Sequence, residues 1–188
     1  MSINTLVISR LSPETLLLGF LYRSPCHGYE LHQRLQDEFG DIWHTSQSQT
    51  YNILKRLVAQ EIVDGTLIAQ DKHPARLQLH ITPRGVERFE AWLQQPTKPS
   101  VHALRVEFIT RLYFTRLYWP ERVEEMIKTQ LEVVAAGLDQ LNLQLAKIHD
   151  EQTIKWLALE MRLELLASVS HWLERCLELR KVAGPIED

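Results

Sequence analysis

The sequence predicts a mainly α-helical protein in which three helices and a two-stranded hairpin precede a domain of long helices. Apolar residues recur at helical spacing up to about residue 58, alternate as in strands between residues 62 and 82, and then recur at helical spacing again. A proline-rich stretch at residues 96–100 separates the two parts of the chain. We therefore expect an N-terminal domain at residues 1–95 and a C-terminal domain at residues 100–183.

Length and composition exclude several classes of protein. Apolar residues make up 45% of the 188 residues, which is enough for a packed core. No stretch approaches the length needed to cross a bilayer, and the N-terminus lacks the basic and apolar regions of a signal peptide. Cys26 and Cys176 lack the paired spacing of a zinc site or a disulfide framework. We expect a cytoplasmic protein with free thiols, no metal site and no contact with a membrane.

Capping residues mark the first two helices. Ser12-Pro13-Glu14 supplies an N-cap hydroxyl, a proline at the first helical position and an early acidic residue. A second helix opens at Gly28 and ends at Gly40. The apolar residues at helical spacing are Leu16, Leu17, Phe20 and Leu21 in the first helix, and Tyr29, Leu35 and Phe39 in the second.

A third helix is predicted directly after the second. The small polar residues at 45–50 suit a helix N-terminus, and Leu54, Leu57 and Val58 form an apolar stripe beyond them. The opposite face carries polar and basic side chains: Ser48, Gln49, Asn52, Lys55 and Arg56.

A hairpin follows the third helix. Strands are predicted at residues 62–69 and 77–82, and a charged tip at residues 70–75 joins them. Thr82-Pro83 then repeats the cap-and-proline signal and starts a fourth helix. Three helices followed by a hairpin is the order of a winged helix-turn-helix, whose third helix enters the major groove of DNA while the hairpin touches the flanking backbone.

The third helix and the hairpin carry suitable chemistry for DNA. Residues 44–84 have a net charge of +2 in a chain whose net charge is −3. Amide side chains such as Asn52 can pair with an adenine edge, and Lys55 or Arg56 can meet phosphates or guanine. The predicted DNA contacts, including the hairpin tip, are Ser46, Ser48, Gln49, Thr50, Tyr51, Asn52, Lys55, Arg56, Lys72, His73 and Arg76.

The C-terminal domain is predicted to be helical and to form an antiparallel homodimer. Seven apolar residues between Ile127 and Ile148 alternate spacings of four and three, which is a heptad seam. The last helix, about residues 151–182, has two apolar stripes and so needs two packing partners. A helix at residues 3–8 could pack alongside these helices in the dimer. The predicted dimer contacts are Leu131, Leu138, Leu159, Leu163, Leu166, Leu173 and Leu177.

Several short motifs together resemble the PadR-type transcriptional regulators. They are Gly28-Tyr29-Glu30-Leu31, the run Gln49-Thr50-Tyr51-Asn52-Ile53-Leu54-Lys55-Arg56-Leu57, Arg76 ahead of Ile81-Thr82-Pro83-Arg84-Gly85, Arg105-Val106-Glu107-Phe108 and Trp172-Leu173-Glu174. The resemblance implies a dimeric repressor of an inverted-repeat operator, relieved by a small aromatic or drug-like ligand. It also implies that Tyr51 packs its ring and offers its hydroxyl to a phosphate. The sequence departs from the family at Glu61, usually glycine, and at Leu79, usually tyrosine.

Other interpretations remain at this stage. The polar face of the third helix could be an ordinary solvated surface, and the charged hairpin an edge kept soluble. The helices could then serve a protein-interaction adaptor that no longer binds DNA. No catalytic arrangement stands out among the histidines, so an enzyme is not expected. Aromatic residues that could line an effector pocket, or could simply be core, are Trp43, Tyr113, Phe114, Tyr118 and Trp119.

Overall fold

The computed structural model describes residues 12–68, 76–148 and 153–182. The chain divides into two compact units, Met1–Leu93 and Gln94–Asp188. The helix predicted at residues 3–8 and the hairpin tip at residues 70–75 lie outside the described residues. Within the described ranges, no helix combines the length and the apolarity needed to span a membrane.

Four helices of the first unit enclose a core of leucine and phenylalanine side chains. They are α1 Glu14–Arg23, α2 Gly28–Phe39, α3 Gln47–Ala59 and α4 Pro83–Gln94. The fully buried side chains include Leu16, Leu17, Leu21, Leu31, Leu35, Leu57 and Phe89. Two residues of the predicted apolar stripes are turned outward instead, since Tyr29 is 55% exposed and Val58 is 38% exposed.

The hairpin belongs to a three-stranded sheet, which corrects the predicted two-stranded wing. β2 Val63–Ile68 and β3 Arg76–Ile81 pair antiparallel, and β1 Cys26–His27 lies on the other side of β3. Cys26 lies opposite Leu79 in this register, and both side chains are buried. A strand of two residues is too short to show an alternating pattern, so β1 could not be predicted from the sequence. The predicted winged helix-turn-helix and the mainly α-helical class are otherwise confirmed.

The turn from α3 into β2 places Glu61 in the left-handed region, with a φ of 58°. The Glu61 amide donates to the Val58 carbonyl and the Ile62 amide donates to the Leu57 carbonyl, each at 3.0 Å. These two bonds form the Schellman motif that ends many helices, and glycine is the favoured residue at its left-handed position. The departure from glycine that the sequence shows therefore falls on a conformation in which a Cβ atom is strained.

The second unit is built from helices of very different lengths. In chain order they are α5 Val101–Ala103, a π-helical stretch Leu104–Phe108, α6 Ile109–Tyr118, a 3-10 turn Pro120–Arg122, α7 Val123–Leu145 and α8 Ile154–Val182. A π-helical stretch thus lies between α5 and α6, and the helix carrying the heptad seam ends at Leu145, short of the last seam residue, Ile148.

The heptad seam of α7 packs against α8 of the same chain, so the predicted dimer contacts Leu159, Leu166 and Leu173 belong to a core within one chain. Val134 and Leu141 of α7 are buried in one core with three residues of α8. Those three are Leu159, Leu166 and Leu173, and the partly buried Leu131, Leu138, Leu163 and Leu177 pack against the same core. A heptad pattern predicts that some helix packs on the seam, but it does not identify that helix. The next helix along the chain usually lies close by, and here it is α8.

Buried polar side chains anchor the proline-rich stretch within the second unit. The Thr97 amide donates to Gln130 Oε1, and Gln130 Nε2 donates to the Thr97 carbonyl, each at 2.8 Å. Arg111 donates to Thr97 Oγ1 at 2.8 Å and to Glu107 Oε1 at 3.0 Å. Burial lowers the pKa of Arg111, and the Glu107 carboxylate opposes that shift. The chain is therefore fixed against both α6 and α7 only a few residues after α4 ends.

Candidate nucleic-acid interface

The start of α3 is fixed by a capping box. Ser46 Oγ accepts from the Gln49 amide at 3.3 Å, and the Ser46 amide donates to Gln49 Oε1 at 2.8 Å. Each side chain thereby satisfies a backbone group that the first turn leaves without a helical partner. Ser46 and Gln49, both predicted as DNA contacts, thus hold the end of the helix in place in the protein alone.

Three side chains project from the face of α3 that lies opposite the core. Ser48, Asn52 and Lys55 are all exposed and follow one another at spacings of four and three residues. The opposite stripe is buried and consists of Thr50, Ile53, Leu54 and Leu57. An amide, a hydroxyl and an ammonium group on one exposed stripe can reach base edges and phosphates together.

Thr50 is not part of this exposed face, which corrects one of the predicted contacts. The side chain is fully buried, and its hydroxyl donates to the Ser46 carbonyl at 3.3 Å. Its oxygen also lies 3.0 Å from His32 Nδ1 on α2. Thr50 therefore joins α2 to the first turn of α3, and its side chain cannot reach DNA without leaving the core.

Tyr51 lies on one flank of α3, against the N-terminus of α2. The residue is 46% exposed, and a Cβ atom at Gly28 would lie 3.0 Å from the Tyr51 ring. This close approach favours glycine at position 28, because a Cβ atom there would need the Tyr51 ring to shift by a few tenths of an ångström. This packing agrees with the structural part of the role that the family resemblance implies. The contact between the Tyr51 hydroxyl and a phosphate stays a prediction.

Arg56 lies on the other flank of α3 and is already paired within the protein. Its guanidinium donates to Glu14 Oε1 at the start of α1. The second oxygen of the same carboxylate accepts from Arg88 Nη2 on α4 at 2.5 Å. Neither Glu14 nor Arg88 was predicted to belong to the site, because a pattern within one helix does not show a contact between three helices.

The wing contributes one described residue to the predicted set. Arg76 is exposed at the start of β3, opposite Ile68 of β2. Lys72 and His73 fall in the tip, outside the described residues. The wing contacts therefore stay predictions, with Arg76 the member whose exposure the structure describes.

A buried thiol and an open cleft are further features of the first unit. Burial raises the pKa of Cys26 to about 11, so this thiol is protonated at neutral pH. No group of three or more metal-ligating side chains occurs among the residues that the structure describes. An open cleft of about 660 Å³ lies at the end of α3 and is lined by Ala59, Gln60, Glu61, Ile62, Arg84, Glu87 and Arg88.

The aromatic residues considered for an effector pocket pack mainly on one another. Phe114 stacks on Tyr118 with ring centroids 5.9 Å apart and meets Tyr113 edge to face at 5.0 Å. Tyr118 also contacts Trp119 edge to face at 5.6 Å. Trp43 is buried in the other unit. None of the five lines the cleft at the end of α3.

Residues 17–91, which run from α1 into α4, match the family described as Transcriptional regulator PadR-like family. We call residues 17–91 the PadR-like domain after this match. The PadR-like domain thus extends over most of the first unit, including α3, the wing and both flanks of the exposed face. Among curated proteins, none matches the chain.

Three crystal structures of PadR-type proteins align with most of this chain at low identity. Bacillus subtilis PadR in complex with operator DNA is 23% identical, covers 88% of this chain and 97% of its own, and has a TM-score of 0.42. The regulator BC1756 from Bacillus cereus is 22% identical, with 92% and 97% covered and a TM-score of 0.44. Bacillus subtilis PadR in complex with p-coumaric acid is 22% identical, with 89% and 94% covered and a TM-score of 0.39. Because these TM-scores are below 0.5, the family assignment rests on the match at residues 17–91.

Proposed function

We propose that this protein is a homodimeric transcriptional repressor that binds an inverted-repeat operator through α3. The observation that carries the proposal is the exposed stripe of Ser48, Asn52 and Lys55 on a helix that the capping box and the core hold in place. The match of residues 17–91 to a family of transcriptional regulators supports the same function. In a symmetric dimer, two copies of α3 would enter successive major grooves about 34 Å apart.

The dimer is proposed to form on the outer face of α8. Ile154, Leu157, Met161 and Leu165 follow one another at helical spacing and are exposed by 81%, 46%, 57% and 45%. They lie on the side of α8 away from its buried leucines. An apolar stripe of this kind is costly to leave in water, and a second copy in an antiparallel arrangement would cover it.

Binding to DNA from the gene's own upstream region, compared with a scrambled duplex, tests the proposal. We expect the protein to prefer its own region, with an affinity that falls linearly as log salt concentration rises. Asn52→Ala should weaken binding to the specific duplex about tenfold or more and leave the scrambled duplex nearly unaffected, because a bidentate base contact is lost. Lys55→Ala should weaken both and reduce the salt slope by about 0.9 per subunit.

Lys147→Ala is the matched control, because it removes an exposed lysine just after α7, far along the chain from α3. Its salt slope should equal that of the unmodified protein. A protein that is folded and dimeric but binds neither duplex at low salt would contradict the proposal. That result would favour the adaptor interpretation.

A small aromatic effector is proposed on the strength of the family resemblance. A compound that binds only the folded protein raises its melting temperature. Thermal-shift measurements with phenolic acids, flavonoids and cationic drugs would identify the effector class. Release of the specific duplex by the same compound is the expected second result, and a compound that stabilises the protein without releasing DNA would not be the effector.

A further inference from the structure

One carboxylate connects three helices of the first unit. Glu14 is the first residue of α1, and its two oxygens accept from Arg56 on α3 and from Arg88 on α4. The Glu14 side chain is 13% exposed, while Arg56 and Arg88 are 52% and 39% exposed. The carboxylate is thus largely withdrawn from water, and both guanidinium groups remain accessible at their outer edges.

The Glu14 carboxylate lies among groups of opposite charge. Both of its oxygens accept from guanidinium groups, and it stands in the first turn of α1, where the N-terminus of a helix carries a partial positive charge. Screening by water is weaker around a partly buried carboxylate than at an open surface, so its attraction for Arg56 is stronger there. Glu14 therefore holds Arg56 on the flank of the helix proposed to bind DNA.

The Glu14 carboxylate limits the contacts that the basic side chains of α3 can make with a DNA phosphate. Lys55 and Arg56 are the two basic residues of α3. Arg56 and Arg88 share the one Glu14 carboxylate, so part of the Arg56 charge is already balanced before DNA arrives and its contact with a phosphate would contribute less to the salt dependence. An approaching phosphate must displace the carboxylate or share the guanidinium with it.

We infer that Glu14 is a positioning residue that holds Arg56 back from DNA and thereby lowers affinity and weakens its salt dependence. This inference rests on the proposed binding of DNA by α3. In this arrangement the carboxylate and the DNA phosphate compete for one guanidinium group. Removing the charge of Glu14 releases Arg56 to act as an additional phosphate contact in each subunit.

Salt-dependent binding of a double-mutant set tests the inference in the full-length dimer. Glu14→Gln should raise affinity and steepen the plot of log affinity against log salt by about 0.9 per subunit, close to two for a dimer. Arg56→Ala alone should change the slope little, and adding it to Glu14→Gln should return the slope to that of the unmodified protein. Glu87→Gln, which removes an exposed carboxylate from α4, is the matched control and should change little.

Several outcomes would overturn the inference. An unchanged or shallower slope for Glu14→Gln would show that the carboxylate only ties the helices together. A steeper slope that persists when Arg56 is alanine would assign the effect to general charge. If Glu14→Gln does not fold, Glu14→Asp keeps the charge at the start of α1 but shortens its reach, and it should still steepen the slope. If the unmodified protein does not bind DNA at all, the proposed function is rejected and this inference with it. That result is known before any variant is compared.

Discussion

At the scale of single residues, burial separates the two kinds of polar side chain on α3. Thr50 and Asn52 are both small, polar and close in the sequence, but Thr50 is fully buried and Asn52 is exposed. Both residues were predicted from the sequence to contact DNA. A buried hydroxyl needs hydrogen-bond partners inside the protein, and Thr50 has them in Ser46 and His32.

Thr50→Val should therefore destabilise the fold. The substitution keeps the shape of the side chain but removes the hydroxyl that His32 contacts, which leaves the half-buried His32 ring without this hydrogen-bond partner. We expect the free energy of unfolding to fall by about 1–2 kcal/mol. Urea denaturation measures it. Thr66→Val, at an exposed strand position, is the control and should be close to neutral. Equal effects of both substitutions would contradict the structural role of Thr50.

The ion-pair partner of Arg56 could not be predicted from the residue pattern of α3. The sequence correctly predicted a basic pair on α3, because charged residues and apolar stripes follow the helical repeat. It did not show that Arg56 meets Glu14, which is 42 residues away in the chain, or that Arg88 meets the same carboxylate from 74 residues away. Such ion pairs depend on how the helices pack against one another in the folded protein.

At the scale of elements, the end of α3 is the place where local sequence preference and observed backbone disagree. Glu61 adopts a positive φ and holds the turn that leads into the wing. A residue with a Cβ atom is strained there, whereas glycine is not. The fold keeps this conformation because the backbone bonds at both sides of Glu61 and the contact of Thr82 Oγ1 with its carbonyl at 2.8 Å all favour it.

Glu61→Gly should stabilise the protein. Relief of the left-handed strain should exceed the greater chain entropy that glycine brings to the unfolded state, leaving a net gain of about 0.5–1 kcal/mol. Thermal and urea unfolding would both report it. Glu61→Ala keeps the Cβ atom and should give no comparable gain. A stability for Glu61→Gly below that of Glu61→Ala would show that the side chain of Glu61 matters more than its backbone.

At the scale of the whole molecule, the apolar surface of α8 determines whether two chains associate. The leucines that were predicted as dimer contacts are buried in, or pack against, the core formed by α7 and α8 of one chain. A different apolar stripe of α8, which includes Met161 and Leu165, is exposed. Two apolar stripes were expected to need two partners. The structure supplies α7 as one of them, and the proposed dimer supplies the other.

Met161→Glu combined with Leu165→Glu should convert the dimer to a monomer. Two carboxylates in an apolar interface would have to be buried without partners, which is strongly unfavourable. Sedimentation velocity measures the change. Leu143→Glu, at an exposed position of α7, is the control and should leave the dimer intact. A dimer that persists with both substitutions would place the interface elsewhere.

The sequence by itself determined the order of helices and strands, the capped start of α3 and the outward position of Ser48, Asn52 and Lys55. Each of these follows from neighbours within a few residues, through capping preferences and the helical repeat. Only the tertiary structure decided that Thr50 is core, that Glu14 pairs with Arg56 and Arg88, that a third strand joins the wing, and that α8 covers the heptad seam. Those features depend on contacts between segments distant in the chain, and many different partners satisfy the same local pattern.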